Sequence, residues 1–171
     1  MSRAKDERPV EVSRLLAGAA KTIASVRYCW LATSAETGAA NVRPMGRLPR
    51  DLDEDDWTIR FITHGRSRKA SEIKRAGNAT VIFQNGDDAF ITLVGPAALR
   101  EEASEVRRHW KSAYDAYFPT DQDRSNAALI EVDVQRMELW IRGVTPEPFG
   151  LQATKVERDG RGAWQLAPYD A

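Results

Sequence analysis

The residues best equipped for chemistry lie in Thr63-His64-Gly65-Arg66-Ser67-Arg68-Lys69, which sets three cations and a hydroxyl where a strand gives way to a helix. The β-branched and aromatic run Trp57-Thr58-Ile59-Arg60-Phe61-Ile62 predicts the strand. Ala70, Ile73 and Ala76 mark one helical face, with Ser67 as the natural N-cap and Gly77 as a C′ stop. The first turn of a helix presents unpaired N–H groups and the positive end of the dipole. Arg68 and Lys69 there are each unfavourable by roughly 0.3–1 kcal/mol without a counter-charge. A bound phosphate reverses that sign, because N–H groups, hydroxyl and both side chains can converge on one dianion. The competing reading is a solvated basic helix start with no ligand.

A second cation has the same ambiguity. In Asn41-Val42-Arg43-Pro44-Met45 an arginine sits among apolar residues, followed by a proline that cannot donate to a ladder and so marks a strand end or edge. From there Arg43 can complete a phosphate clamp with Ser67, Arg68 and Lys69, or form a surface ion pair with the acidic run Asp51, Asp53, Glu54, Asp55 and Asp56. Other chemistries find no support. His64 and His109 are the only histidines and Cys29 the only cysteine, none at ligand spacing, so no metal site is expected. Cys29 stands in an apolar run and reads as core, and His64 as a loop residue with a structural hydrogen bond. No serine sits in a Gly-x-Ser-x-Gly elbow, no Gly-x-Gly-x-x-Gly follows a strand, and the Gly65 to Lys69 spacing is too short for a Walker loop. No catalytic residue can be assigned, so any difficult reaction here would need a cofactor.

Composition narrows the partners. The 171 residues carry 25 Lys and Arg against 25 Asp and Glu, so no global basic field recruits nucleic acid, and a local cationic cluster must serve something small. The N-terminus is charged without an apolar core, and no run is long enough to cross a bilayer; the expected location is cytoplasmic and the expected organisation one domain over 1–171.

The elements that would position the cations follow from periodicity. Val12, Leu15, Leu16, Ala19 and Ile23 predict an amphipathic helix over about 9–25 that lies against the core. Strands are expected over Val26–Thr33 and Ala39–Met45, joined by a loop ending in Gly38, and over Thr80–Gln84 and Ala89–Leu99, joined through Asn85-Gly86. Gly95-Pro96 predicts a kink in the last of these. A helix is expected from Glu101 to about Tyr114, then a loop through Phe118-Pro119-Thr120, one long strand over Ala128–Ile141, and a C-terminal hairpin over about 151–168. Trp110, Tyr114, Tyr117 and Phe118 form an aromatic group read as packing. Hairpins with three inserted helices predict a mainly β, α+β fold built on an antiparallel barrel-like sheet.

Phe61-Ile62-Thr63-His64-Gly65-Arg66-Ser67-Arg68-Lys69 resembles the segment of the pyridoxamine 5′-phosphate oxidase family that holds FMN. Val42-Arg43-Pro44-Met45, Asn78 to Phe83, Gly95, Glu138-Leu139-Trp140 and Trp164 to Pro168 fall in the family's order. The resemblance implies a split β-barrel homodimer with FMN at the subunit interface. By it, Arg43, Ser67, Arg68 and Lys69 bind the flavin phosphate, Pro44, Met45, Ile62 and Thr63 lie along the isoalloxazine, and Trp140 approaches from the partner subunit. The chain also departs from the oxidase. Pro146 and Pro148 stand where the substrate-gripping Arg-x-His is expected, Phe90 where a flavin-contacting glutamine is, Leu48 for a lysine and Gln165 for an arginine. A proline can neither hold a phosphate nor move a proton, so the implied activity is not that of a true pyridoxamine 5′-phosphate oxidase. Tyr117-Phe118-Pro119 before the long strand looks like the general-stress-protein subgroup, for which flavin binding is implied without a defined substrate or redox partner. Alternatives on the same barrel are a deazaflavin-dependent reductase and a flavin-storing or sensing protein without turnover.

Overall fold

The structure, a computed structural model, describes residues 7–49 and 57–168. The acidic run Asp51 to Asp56 lies outside the described residues. Helix α1, Glu7–Ser25, leads into strands β1, Tyr28–Ser34, and β2, Ala40–Gly46. Strand β3, Thr58–His64, runs into helix α2, Arg68–Ala76, and then into the hairpin of β4, Asn78–Asn85, and β5, Ala89–Arg100. Short helices α3, Ala103–Arg108, and α4, Asp121–Ser125, flank a 3-10 turn at Ser112–Ala116. Strands β6, Ala127–Asp133, β7, Arg136–Ile141, β8, Thr154–Arg158, and β9, Trp164–Leu166, complete the chain. Among the described residues, no helix is long and apolar enough to cross a membrane.

Every strand pair is antiparallel, in the order β2-β1-β4-β5-β7-β8-β9, with β3 and β6 joining through β5. A split barrel fits this arrangement. The joint is within β5: Ala89 to Val94 pair with β7, whereas Ala97 to Arg100 pair with β6. Gly95 and Pro96 occupy the change of partner, which is the kink their types predict. A Cβ at Gly95 would lie 1.8 Å from the Asp133 carbonyl oxygen, so only glycine lets the two strands cross there. Leu15, Ala19 and Ile23 of α1 close the core with Leu31, Phe61, Val81, Phe83, Ile91 and Leu139. The apolar positions of α1 recur at helical spacing, which is why the helix covers the sheet along one stripe.

Four sequence expectations are corrected. The long strand over Ala128–Ile141 is two strands, because the chain leaves β3 at Val134, whose N–H donates to Trp57, and joins β5 at Gln135, whose N–H donates to Val94. The helix from Glu101 ends at Arg108. Lys111 is extended, and the chain re-coils so that Trp110 packs edge-on against Tyr114 and Phe118, at 5.8 and 5.2 Å between ring centroids. With Val106 and Ala127 these rings form a second, smaller cluster. The loop after Phe118 contains α4, started by a capping box in which Thr120 and Asp123 satisfy each other's N–H groups. The C-terminal hairpin begins at Thr154 instead of about 151, since Leu151 is exposed and unpaired with the sheet.

Candidate functional site

Helix α2 starts as its sequence predicts. Ser67 is extended and its hydroxyl accepts from the Ala70 N–H, and Gly77 ends the helix in the left-handed region at φ 69°. The Ser67 N–H is taken by His64 O and the Ser71 N–H by Ser67 O. The N–H groups of Arg68 and Lys69 are therefore the two in this turn without an intrahelical partner. The Thr63 and Ser67 hydroxyls lie 3.4 Å apart, and His64 Nδ1 accepts from the Arg66 N–H at 3.2 Å.

Strand alternation decides what reaches this helix. In the β1–β2 hairpin Thr33 pairs with Asn41 and Leu31 with Arg43. Arg43 and Met45 therefore share the inner face with Leu31 and Thr33, while Pro44 faces outward beside Trp30. Met45 packs at the core edge, and its carbonyl accepts the Cys29 thiol at 3.5 Å. The Arg43 guanidinium donates through Nη1 to the Thr33 hydroxyl at 2.5 Å and to Leu31 O at 3.3 Å, and through Nη2 to Glu72 Oε2 at 3.3 Å.

Glu72, one turn into α2, is the counter-ion. Its carboxylate accepts from the Thr33 hydroxyl and the Asn41 amide, each at 2.5 Å, and Arg68 Nε lies 3.8 Å away. The Thr33 hydrogen bond, followed by the Asn41 amide and Arg43, holds this carboxyl below the usual carboxylate range against the opposing effect of burial. Among the described residues the ionic partner of Arg43 is Glu72; the alternative pairing with Asp51 to Asp56 lies outside the described residues. Glu72 was missed in the sequence although it stands four residues after Arg68, the spacing of a helical ion pair. Thr33 and Asn41 were missed because only the hairpin register brings them to α2.

Among the described residues a single carboxylate, Glu72, contacts this cluster and does not balance it. Arg43, Arg68 and Lys69 supply three positive charges against one, and Lys69 is half-buried, so burial and then the charge of Arg43 push its ammonium pKa down. A half-buried cation beside a helix N-terminus is an arrangement that can accept an anion. Among the described residues the donor set fits a phosphate monoester: two helix N–H groups without a partner, the Ser67 and Thr63 hydroxyls, and three cations.

The remaining predicted site residues are distributed differently. Thr63 faces the core side, buried, and Ile62 faces the other way, its side chain packed on the cluster of Val106, Phe118 and Ala127. On the edge of β3 away from β6, Ile62 presents main chain. Gly65 N–H bonds Asn126 O and Trp57 O accepts from Val134, so odd residues of β3 bond β6 and even ones point outward, as Arg60 O does to Leu48 N–H. Leu48 itself is buried. Trp140 lies on β7 opposite Phe90, and these two with Phe149 and Gly150 line a shallow apolar recess. The Arg142 guanidinium sits 4.3 Å from the Phe149 ring centre. Trp140 and Arg43 lie on β7 and β2, four steps apart in the strand order. Pro146, Pro148 and Gln165 are exposed.

Solved structures that share this fold include the following three. A protein related to general stress protein 26 of B. subtilis, from Clostridium acetobutylicum, superposes with a TM-score of 0.69 at 16% identity over 84% of this chain and 94% of that one. A pyridoxamine 5′-phosphate oxidase-related, FMN binding protein from Nostoc punctiforme gives 0.66 at 17% identity over 99% of both chains. PhzG from Burkholderia lata, in complex with tetrahydrophenazine-1-carboxylic acid, gives 0.65 at 18% identity over 94% of this chain and 91% of that one. No curated protein matches the sequence. The sequence profile described as pyridoxamine 5′-phosphate oxidase like matches residues 17–160, most of the chain, and with the shared fold this establishes that the chain belongs to that family.

Proposed function

We propose that this chain is an FMN-binding flavoprotein that acts as a cytoplasmic homodimeric oxidoreductase. The observation that carries the reading is the imbalance at the start of α2, where Arg43, Arg68 and a desolvated Lys69 face, among the described residues, only Glu72. A phosphate monoester, carrying about two negative charges near neutral pH, matches the surplus. Arg43, Ser67, Arg68 and Lys69 bind the phosphate. Thr63 and the outward main chain of Ile62 then lie along the ring system with Met45, whereas Pro44 contributes from the outer face. FMN, when bound, supplies the redox chemistry; the protein's own residues bind, orient and exclude water. The likeness to an FMN binding relative supports the cofactor, and the likeness to a general stress protein 26 relative suggests a stress-related role.

Two features support the dimer. Tyr28, Trp30 and Val42 are exposed on the outer face of β1 and β2, at 55%, 47% and 51%, a patch of the kind that covers itself in a homodimer. The separation of Trp140 from Arg43 favours a second copy as the source of the Trp140 contact. Pro146 and Pro148 supply no polar grip, and Phe90 makes the surface beside Trp140 apolar, so pyridoxamine 5′-phosphate is not the expected substrate. PhzG, in complex with tetrahydrophenazine-1-carboxylic acid, supports binding of small molecules other than pyridoxamine 5′-phosphate on this fold.

The test is the visible spectrum of the purified protein and a titration with FMN. Saturable binding and a yellow protein are expected, and a colourless protein without saturable binding would sink the flavin reading, including FMN-dependent turnover. Anaerobic reduction of the loaded protein by a nicotinamide donor, then reoxidation, separates an oxidoreductase from a storage or sensing protein. Binding of a deazaflavin in preference to FMN would move the assignment to a deazaflavin-dependent reductase.

A further inference from the structure

We propose that Glu72 is a positioning residue that holds the Arg43 guanidinium ready to receive a phosphate monoester. The inference rests on the phosphate-clamp reading above. Glu72 has a side chain only 8% exposed and is the single acid, among the described residues, that contacts the cations of the clamp. Its oxygens are divided between elements: Oε2 takes the Thr33 hydroxyl of β1 and Arg43 Nη2 of β2, and Oε1 takes the Asn41 amide of β2 and faces Arg68.

Arg43 is held on the same frame. Nη1 is occupied by Thr33 and Leu31, Nη2 by Glu72, and the Nε–H has no partner among the described residues. The Thr33 hydroxyl donates to Glu72 while accepting from Arg43, so the two ions are joined directly and through one hydroxyl. A long, rotamer-rich side chain is thereby ordered before any ligand arrives, with a donor left over. Glu72 carries negative charge near the anion it serves. Its lone pairs are engaged by Thr33, Asn41 and Arg43, and the surrounding cluster retains a net positive charge, so the gain from a fixed guanidinium exceeds the repulsion. An amide at position 72 keeps the size but exchanges one acceptor oxygen for a donor, which breaks the link to Arg43 or to Asn41.

The experiment compares FMN with riboflavin, which differ in the phosphate, by flavin fluorescence titration near neutral pH at fixed salt. The proteins are the unaltered chain, Glu72→Gln, Arg43→Ala and the double variant. The unaltered chain is expected to prefer FMN. Glu72→Gln should lower that preference about tenfold, and Arg43→Ala at least as much. The double variant should lower it no further than Arg43→Ala, because both changes act through one guanidinium. Riboflavin affinity should stay level, which a general structural role would not allow. Thr33→Val deletes the bridging hydroxyl at nearly constant shape and should move the preference in the same direction; it carries the test if Glu72→Gln does not fold. An unchanged or increased preference in the single variants, or additive losses in the double variant, overturns the positioning role. Equal binding of both flavins by the unaltered chain overturns the clamp, and this inference with it.

Discussion

Replacing Lys69 with methionine separates stability from binding at one position. The folded protein disfavours the Lys69 ammonium, through burial first and the neighbouring Arg43 second. A lysine whose folded pKa is depressed weakens the fold while it is protonated, and the penalty fades only as pH rises toward its ordinary value near 10.5. At neutral pH the Lys69→Met chain without ligand should therefore unfold at the same or a higher temperature than the unaltered chain. Methionine is unbranched, a good helix former and apolar, so it suits a half-buried second position of α2. The cost should appear in the ligand. Loss of a charge-assisted phosphate contact is about 1.5–3 kcal/mol, which is roughly a 10- to 150-fold weaker FMN complex at 1.4 kcal/mol per tenfold. Riboflavin should bind both proteins within about twofold, since no phosphate is involved. Calorimetric melting without ligand and fluorescence titration with each flavin measure the two effects on one preparation. A ligand-free variant that melts well below the unaltered chain, with equal losses for both flavins, would show that Lys69 is structural and refute the reasoning.

Two further outcomes probe the frame. Gly95→Ala would place a Cβ 1.8 Å from the Asp133 oxygen and 2.7 Å from its carbon, both main chain, so relief requires moving one strand at the β5 crossing. A destabilisation on the order of 4 kcal/mol or more is expected in urea unfolding, and a loss under about 1 kcal/mol would contradict the crossing. Cys29 is 2% exposed, and burial pushes its thiol up from 9.0 to about 12. It should resist alkylation in the native protein at neutral pH and react fully in denaturant. The raised pKa also contributes stability that is complete below pH 9.0 and lost as pH rises toward about 12. The stability difference between the unaltered chain and Cys29→Ala should shrink across that window, and rapid native labelling would oppose the buried placement.

Local rules made much of the candidate site legible. Ser67 as N-cap, Gly77 as the left-handed stop, and the hairpin turns at Gly38 and Gly86 each depend on a few neighbouring residues, and each stands where its residue type predicts. The cations at the start of α2 could be read as an unbalanced charge for the same reason, because a helix dipole is a property of one segment. The shape of the segment carried the family resemblance as well.

What tertiary structure decided concerns residues distant in the chain. Arg43 and Glu72 are 29 positions apart, and their pairing needs the β1–β2 register and the packing of α2 together. Strand alternation parted Pro44 from Arg43 and Met45, and turned Ile62 away from Thr63, though all of these are neighbours in sequence. The split of the long strand into β6 and β7 arose where a main-chain carbonyl crosses Gly95, a contact no periodicity in either segment reports. By itself the sequence marked the start of α2 as a capped helix end with an excess of cations, since propensity, capping and dipole act within one turn. Which side chains gather around those cations was decided by the fold, because the pairing of ions across three segments depends on register and burial that only the assembled sheet supplies.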